Sequence, residues 1–97
     1  MNQSETYFKN YFSTINESLN SINTSYLEKI AFLIKKTSKL GRKVIIIGNG
    51  GSAAIASHLT IDFINAANIK AMSFNDSSVI TCFANDYGYE PWVDTAF

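Results

Sequence analysis

Glycines and short polar side chains follow the most apolar strand-like run of the sequence, in the segment Gly48-Asn49-Gly50-Gly51-Ser52. Glycine lets the backbone turn with positive φ and allows a ligand to approach the main chain closely. Ser52 is a candidate N-cap for the helix that follows. Because the free amides at a helix N-terminus favour negative charge, this turn is predicted to bind an anion such as phosphate.

Two further groups capable of chemistry, His58 and Asp62, lie on the predicted helix after this turn. Their spacing of four residues places them on the same helix face, one turn apart. An imidazole and a carboxylate suit a zinc-like ion or an acid/base couple. Two ligands are too few for a complete metal site, so the others must come from elsewhere. The alternative is an ordinary surface pair.

The elements that position these groups alternate between strand and helix. The pattern predicts a strand over 43–47, a helix over about 52–66, a short strand over 70–74 and a helix over about 77–86. This order implies a parallel sheet with right-handed crossovers. Ligands bind such sheets at the carboxyl ends of the strands, so the loops Gly48–Ser52 and Asn75–Ser78 are expected to face one pocket.

Turn-forming residues follow the last of these helices, in the run Asn85-Asp86-Tyr87-Gly88-Tyr89. Pro91 is placed to open a further helix near its first position. Ser77 is the predicted N-cap of the helix before the turn. Cys82, within that helix, is interpreted as a small buried hydrophobic residue and not as a nucleophile. The first two residues of the run fit either a simple turn or the edge of the pocket.

Two amphipathic helices are predicted before the first strand. Residues 4–22 carry apolar side chains at spacings of three and four, with Ser4 as a plausible N-cap. Ser25-x-x-Glu28 has the pattern of a capping box for the second helix, and Gly41 has the position of a C′ glycine. The aromatic stripe of the first helix fits an intramolecular core or an oligomer contact. The oligomer contact is favoured, because a small sheet leaves little surface for long helices to cover.

Composition restricts the partners and the compartment. The 97 residues are 46% hydrophobic, enough for one small domain, and eight basic residues balance eight acidic ones. No net field therefore attracts nucleic acid or a membrane, although basic residues cluster at 35–43, where a solvated helix end is favoured over a phosphate or nucleic-acid contact. The longest aliphatic run is Val44–Ile47, which predicts no signal peptide or spanning helix. With Cys82 as the single cysteine, these features predict a cytoplasmic protein.

Three features of the sequence occur together: the run Gly48-Asn49-Gly50-Gly51-Ser52-Ala53-Ala54, His58 with an acid at 62, and the run Ile80-Thr81-Cys82-Phe83-Ala84-Asn85-Asp86-Tyr87-Gly88-Tyr89-Glu90. In these features the chain closely resembles the phosphoheptose isomerases of the sugar isomerase (SIS) domain superfamily. The resemblance extends from about residue 5 to the last residue. It implies an α/β fold with a flavodoxin-like parallel sheet sandwiched by helices and preceded by two N-terminal helices. Residues 1–41 would be an oligomerisation pair, and 42–97 the first half of the SIS domain, with its first two strands.

The resemblance also implies an activity. Members isomerise sedoheptulose 7-phosphate to D-glycero-D-manno-heptose 7-phosphate, on the route to heptose-containing lipopolysaccharide or capsule sugars, usually as homotetramers with zinc. By this resemblance His58 would bind the metal, and Asp62 would be both a metal ligand and the catalytic base. The resemblance assigns six residues to the substrate: Asn49, Gly50, Gly51, Ser52, Asn85 and Asp86.

The sequence departs from the family pattern in two residues and in length. Asp62 stands where Glu is usual, and Ile55 where Asp is common. The family's second half, with a Ser/Thr-rich phosphate loop and a Gln and His metal pair, has no counterpart here. The last residues, Trp92 to Phe97, resemble the start of an interrupted helix. We therefore interpret the chain as an N-terminal portion of a longer protein, or as a truncated product that needs partners.

Two other functions fit parts of the sequence. A non-catalytic SIS protein could bind a sugar phosphate or act as a protein scaffold, as the replication-initiator-associating relatives do, and the residues at 55 and 62 favour this slightly. Retention of His58 argues against it. The pattern Gly48-x-Gly50-x-x-Ala53 also satisfies a relaxed dinucleotide-binding fingerprint, with Asp76 after the second strand. This third hypothesis is weak, because two helices precede the first strand and Asp76 comes later than the fingerprint expects.

Overall fold

The computed structural model describes residues 2–96, and the predicted order of elements is confirmed there. Phe97, which the sequence assigned to the last helix, lies outside the described residues. None of the helices within 2–96 has the length and apolarity needed to cross a membrane. The elements are α1 (Gln3–Asn20), α2 (Thr24–Lys39), β1 (Val44–Ile45), α3 (Gly51–Asn65), β2 (Ala71–Met72), α4 (Ser77–Tyr87) and α5 (Trp92–Ala96).

The two strands form the predicted parallel sheet, with Val44 opposite Ala71 and Ile45 opposite Met72. Its ladder includes a hydrogen bond of 3.0 Å from the Ile46 amide to the Met72 carbonyl. The strands are shorter than the predicted spans 43–47 and 70–74. Each strand has a single neighbour, so hydrogen bonding fixes only the short segment where the two run side by side. The sheet is nevertheless enough to place the following loops at one edge, which agrees with a partial SIS fold.

The N-terminus of α1 is capped two residues earlier than the sequence predicted. The Asn2 side chain accepts a hydrogen bond of 2.9 Å from the Glu5 amide, and Glu5 Oε2 accepts one of 3.2 Å from the Asn2 amide. This reciprocal pair is a capping box, so the prediction of Ser4 as N-cap was wrong. Ser4 lies inside the helix because Asn2 already satisfies the amides of the first turn.

The start of α2 also differs from its predicted capping box. Asn23 Oδ1 accepts hydrogen bonds from the backbone amide of Ser25, at 3.0 Å, and from its hydroxyl, at 2.8 Å. The hydroxyl of Ser25 is therefore a donor to Asn23, and the predicted pairing of Ser25 with Glu28 was wrong. A capping box needs Ser at the boundary, whereas α2 already begins at Thr24.

The C-terminus of α2 confirms the prediction for Gly41. This glycine has φ of +71°, which a side chain would strain, and its amide donates to the Ser38 carbonyl at 3.0 Å. The Arg42 amide donates to the Thr37 carbonyl at 3.1 Å. Together these bonds form a Schellman motif, which ends the helix and leads the chain into β1.

The N-cap of α4 is Asp76 and not Ser77, so that prediction was wrong. Asp76 Oδ1 accepts a hydrogen bond of 2.8 Å from the Ser78 amide. An aspartate at this position satisfies an amide of the first turn and places negative charge at the positive end of the helix. Asp76 is also the acid on which the dinucleotide hypothesis depended, and the structure gives it this capping role.

The chain divides into two compact units, residues 1–32 and 33–97. In the first unit, α1 and the beginning of α2 contain no buried residue. The ring of Tyr7 contacts those of Phe8 and Tyr11 along α1, and all three residues are more than half exposed. The predicted oligomer contact and the predicted division at residues 41 and 42 stay predictions.

The second unit has a small core. Trp92 is 1% exposed and is the largest fully buried side chain among the described residues, and α3 contributes Ala56 and Thr60. The Thr60 hydroxyl donates to the Ala56 carbonyl at 2.7 Å, which satisfies it inside the helix. Other apolar residues of α3 stay exposed, among them Ile55 at 68%. The burial therefore concentrates beside the glycine turn.

Candidate functional site

The turn between β1 and α3 requires glycine at two positions for different reasons. A Cβ atom at Gly48 would overlap the Ser52 carbonyl oxygen and would lie 2.8 Å from the Ser52 Cβ. Gly50 has φ of +57° and is the N-cap of α3. The prediction of Ser52 as N-cap was therefore wrong, because Ser52 lies in the first turn of the helix. The close approach of Gly48 to the backbone of Ser52 allows the chain to pass from β1 into α3 through a tight turn.

The turn leaves backbone donors available at the start of α3. The Ser52 amide donates to the Asn49 carbonyl at 3.0 Å, and the Ala53 amide donates to the Gly50 carbonyl at the same distance. Within residues 2–96 the amides of Gly50 and Gly51 have no acceptor. Two free amides at a helix N-terminus favour an anion, so the turn retains the donors that the sequence predicted.

Asn75 joins the loop after β2 to the turn after β1. In the orientation that satisfies both ends of its amide, Nδ2 donates to the Gly48 carbonyl at 3.2 Å, and Oδ1 accepts from the Gly48 amide at 3.2 Å. The Ser73 hydroxyl donates to the same Oδ1 at 3.2 Å. The Asn75 side chain therefore connects the two strands beyond the end of their backbone ladder. The two loops therefore lie together at the carboxyl ends of the strands, and the pocket predicted between them stays a prediction.

Trp92 contacts the turn at Asn49, and the sequence did not predict this contact. Its indole Nε1 donates to Asn49 Oδ1 at 3.0 Å, across a separation of 43 residues. A buried indole N–H normally has a hydrogen-bond acceptor, which was the available signal. The sequence could not identify that acceptor, because nothing local connects α5 to the glycine turn.

His58 and Asp62 form the pair that their spacing predicted. His58 Nδ1 lies 3.1 Å from Asp62 Oδ2, and the two side chains are 76% and 57% exposed. This contact orients the imidazole and leaves Nε2 accessible. Among residues 2–96 no cluster of three or more His, Cys, Asp or Glu side chains could hold a metal ion. The pair can therefore supply part of a metal site or an acid/base couple.

Asn85 and Asp86 lie in the last turn of α4, and the predicted helix over about 77–86 is confirmed to within one residue. The helix continues to Tyr87 and ends at Gly88, which has φ of +96°. Asn85 Nδ2 donates to Asp86 Oδ1 at 3.2 Å, and both side chains are exposed. The hydrogen bonds of these two side chains stay within α4, so their predicted contact with a sugar stays a prediction.

Cys82 is exposed, so the prediction that it is buried was wrong. The thiol donates to Asp86 Oδ2 at 3.5 Å. This hydrogen bond, together with the negative charge of Asp86, raises the pKa of the Cys82 thiol above its ordinary value. A raised pKa reduces the thiolate fraction, which agrees with the prediction that Cys82 is not a nucleophile.

A cavity of about 430 Å³ lies at the opposite edge of the sheet, where the strands begin. Lys43 and Lys70, which immediately precede β1 and β2, line it together with Ile64, Asn68 and other residues. None of the predicted site residues lines this cavity. The His58–Asp62 pair is exposed, and neither this pair nor the glycine turn lines the cavity.

Comparison with known proteins identifies the family. Residues 7–89 match the SIS domain. The chain therefore belongs to the SIS domain family. Over 73 residues it is 40% identical to a protein from Thermodesulfovibrio yellowstonii named phosphoheptose isomerase, covering 69% of this chain and 36% of the relative. It is 36% identical over 70 residues to a protein of the same name from Akkermansia muciniphila, covering 66% of this chain and 37% of that relative.

A third relative, from Fusobacterium nucleatum and also named phosphoheptose isomerase, is 41% identical over 68 residues. That alignment covers 65% of this chain and 35% of the relative. The SIS chain thus spans little more than a third of the length of these curated relatives. No solved structure matches it. Family membership and the resemblance to phosphoheptose isomerases over their N-terminal portion are confirmed.

Proposed function

We propose that this SIS chain is the substrate-binding and proton-transfer portion of a phosphosugar isomerase that converts sedoheptulose 7-phosphate to D-glycero-D-manno-heptose 7-phosphate. The observation that carries the proposal is the arrangement at α3. Two free amides lie at its start, and the His58–Asp62 pair follows on the same helix. The names of the relatives support the choice of substrate.

The turn would bind the phosphorylated sugar through donors. Gly50 and Gly51 offer backbone amides, Asn49 offers its side-chain amide, and Ser52 offers a hydroxyl. Because the substrate is rich in oxygen acceptors and carries a phosphate, a cluster of donors at a helix N-terminus suits it. Asn85 and Asp86 would complete contacts to the sugar, as the family resemblance implies.

Asp62 would act as the base in the isomerisation. Its carboxylate would remove the proton from the carbon next to the carbonyl, which yields an enediolate, and would return that proton to the neighbouring carbon. His58, 3.1 Å from Asp62, would orient the carboxylate. Asp is one methylene shorter than the Glu that is usual at this position, and a displacement of about 1 Å can cost on the order of 100-fold in rate.

We further propose that His58 and Asp62 contribute to a zinc site. An imidazole nitrogen and a carboxylate oxygen are suitable donors for zinc, which commonly binds four ligands. The pair supplies two donors, so the site would need ligands from outside the described residues. A bound zinc ion would supply a Lewis acid that polarises a sugar oxygen.

The test is isomerase activity of the complete protein before and after Asp62→Asn. If Asp62 is the base, we expect a loss of at least about 100-fold in kcat, because the amide cannot accept the proton. Asp62→Glu restores the usual family residue, and we expect it to keep activity or raise it. Product formation from sedoheptulose 7-phosphate, measured by NMR, gives the rates.

Asp94→Asn is the matched control, because Asp94 is also an exposed aspartate and makes the same charge change outside the site. We expect unchanged kcat for this variant. Undiminished turnover in Asp62→Asn would remove Asp62 from the mechanism. Absence of activity in the unaltered complete protein would reject the isomerase proposal itself.

We also propose that the complete protein is a homotetramer. The support is the large exposed apolar area of α1 and α2, which includes Phe8, Tyr11, Phe12 and Leu33, each more than half exposed. Exposed apolar surface of this extent favours contact with another chain. Light scattering coupled to size-exclusion chromatography would measure the mass, and a monomer at micromolar concentration would reject this proposal.

The alternative is a non-catalytic SIS protein that binds a sugar phosphate or serves as a scaffold. Ile55, 68% exposed on α3 where the family commonly has Asp, favours this hypothesis, because an exposed isoleucine suits a protein contact better than a polar ligand. Metal analysis of the purified complete protein discriminates between the two. Stoichiometric zinc supports the isomerase, and its absence favours the scaffold.

A further inference from the structure

We propose that Trp92 is a positioning residue that fixes the orientation of the Asn49 amide, so that the Asn49 side chain presents its Nδ2 donor to the ligand of the glycine turn. The inference deepens the proposed function and rests on it. It predicts that the ligand group next to Asn49 is a hydrogen-bond acceptor, such as a phosphate oxygen.

The Trp92 indole can only donate in its contact with Asn49. Trp92 is 1% exposed, and its Nε1 donates to Asn49 Oδ1 at 3.0 Å. An indole nitrogen is a donor and never an acceptor. If the Asn49 amide rotated by half a turn, its NH₂ group would face the indole N–H, and a buried donor would lose its acceptor. Such a loss is costly, so Oδ1 stays at Trp92.

The nitrogen end of the Asn49 amide has no partner of its own in the described residues. With Oδ1 held by Trp92, Nδ2 of Asn49 carries both of its hydrogens without an acceptor among residues 2–96. The Asn49 carbonyl accepts from the Ser52 amide at 3.0 Å, so the backbone of this residue is also fixed. The free amides of Gly50 and Gly51 follow directly in the chain.

These donors share one consequence for specificity. An acceptor group of the ligand can accept a hydrogen bond from Nδ2 of Asn49, whereas an ammonium group would place a donor against this donor. Hydrogen bonds from amides to an ionised phosphate are also stronger than those to a neutral hydroxyl. Trp92 thus sets the chemistry of the turn, although it lies outside the predicted substrate contacts.

The experiment measures binding of inorganic phosphate to the chain, followed by the NMR amide peaks of Gly50 and Gly51. Asn49→Asp is nearly isosteric, and its carboxylate still accepts from Trp92, but an acceptor replaces the Nδ2 donor. We expect phosphate affinity to fall by about tenfold or more. Trp92→Phe removes the indole donor but keeps an aromatic ring, and we expect a loss of about three- to tenfold.

A double-mutant cycle separates positioning from general damage to the fold. If Trp92 acts through Asn49, then Trp92→Phe adds little further loss once Asn49→Ala is present. Additive losses would overturn the inference. The indole N–H peak of Trp92 is the second readout, and we expect Asn49→Ala to shift it strongly and Asn49→Asp to preserve its hydrogen-bonded position.

Failure of the inference and failure of the proposed function give different results. If the unaltered chain binds phosphate and Trp92→Phe binds it equally well, the inference is overturned while the phosphate turn stands. If the unaltered chain binds neither phosphate nor sedoheptulose 7-phosphate, the proposed function of the turn fails, and the inference falls with it. If Trp92→Phe fails to fold, the pair Asn49→Asp and Asn49→Ala decides, because Asn49 is exposed.

Discussion

The glycine turn and helix α1 are held by hydrogen bonds of very different range. At the turn, Gly48 pairs with Asn75 across 27 residues, and Asn49 pairs with Trp92 across 43. Along α1 the side-chain hydrogen bonds join residues three or four apart, such as Asn2 with Glu5. The turn therefore depends on distant parts of the chain, whereas α1 is specified by its own sequence.

The glycine turn and α1 also differ in how much of their surroundings is buried. The turn contacts Trp92, which is 1% exposed, whereas α1 contains no buried residue. A single substitution at the turn can therefore disturb several elements together. A substitution on α1 should stay local unless another chain covers its apolar stripe. This contrast makes the two regions respond differently to the same kind of change.

The largest effect is expected for Gly48→Ala, which tests the close contact at the turn. A Cβ atom there would overlap backbone atoms of Ser52, which cannot move without displacing the start of α3. We expect the free energy of unfolding to fall by about 2–3 kcal/mol. Trp92 is the single tryptophan, so urea unfolding followed by its fluorescence reports on this unit.

Gly51→Ala is the matched control for this prediction. A Cβ atom at Gly51 meets no atom within 4 Å, and the residue already lies in α3. Alanine is the better helix former, so we expect a change between zero and a gain of about 1 kcal/mol. Equal losses in both variants would show that the contact with Ser52 does not limit the turn.

A smaller effect is expected at the N-cap of α4, the neighbouring part of the same unit. Asp76→Ala removes the acceptor of the Ser78 amide, and we expect a loss of about 1 kcal/mol in unfolding free energy. Ser77→Ala should change it by no more than about 0.5 kcal/mol, because Ser77 lies inside the helix. If urea unfolding shows a larger loss for Ser77→Ala than for Asp76→Ala, then Ser77 is the N-cap, as the sequence predicted.

The caps show what local sequence could and could not predict. Helix positions followed from the spacing of apolar residues, and Gly41 was recognised because a C′ glycine has one conformational role. At the N-termini of α1, α2 and α4, two or more polar residues stand close together, and each could be the cap. Which one is used depends on where the backbone enters the helix, a property that apolar spacing does not determine.

The candidate site also combines contacts that local sequence predicts with contacts that depend on distant parts of the chain. The pairing of His58 with Asp62 follows from helix geometry alone, so its spacing predicted it. The contact between Asn49 and Trp92 depends on how α5 returns to the sheet, and no local pattern encodes that return. Burial of Cys82 was predicted from its residue type, but α4 places the thiol toward solvent beside Asp86.

A modest effect on reactivity is expected at Cys82, where the interaction is as local as those of α1. The hydrogen bond and charge of Asp86 raise the thiol pKa, so Asp86→Asn should lower that pKa and increase the thiolate fraction at pH 8. Alkylation by iodoacetamide should then become faster, with its rate profile shifted to lower pH. Asp94→Asn is the charge-matched control. An unchanged profile in Asp86→Asn would contradict the assigned cause.

The smallest effect is expected for Phe12→Ala on α1. The ring is 63% exposed and contacts the neighbouring Tyr11 ring, so its removal leaves no cavity in this chain. For the isolated chain we expect a change within about 0.5 kcal/mol, measured by circular dichroism during urea unfolding. Phe83→Ala, at a half-buried ring in α4, makes the same change in volume and should cost more, about 1–2 kcal/mol. If Phe12→Ala costs as much as Phe83→Ala, and the cost grows with protein concentration, then another chain covers α1, because only association makes stability depend on concentration.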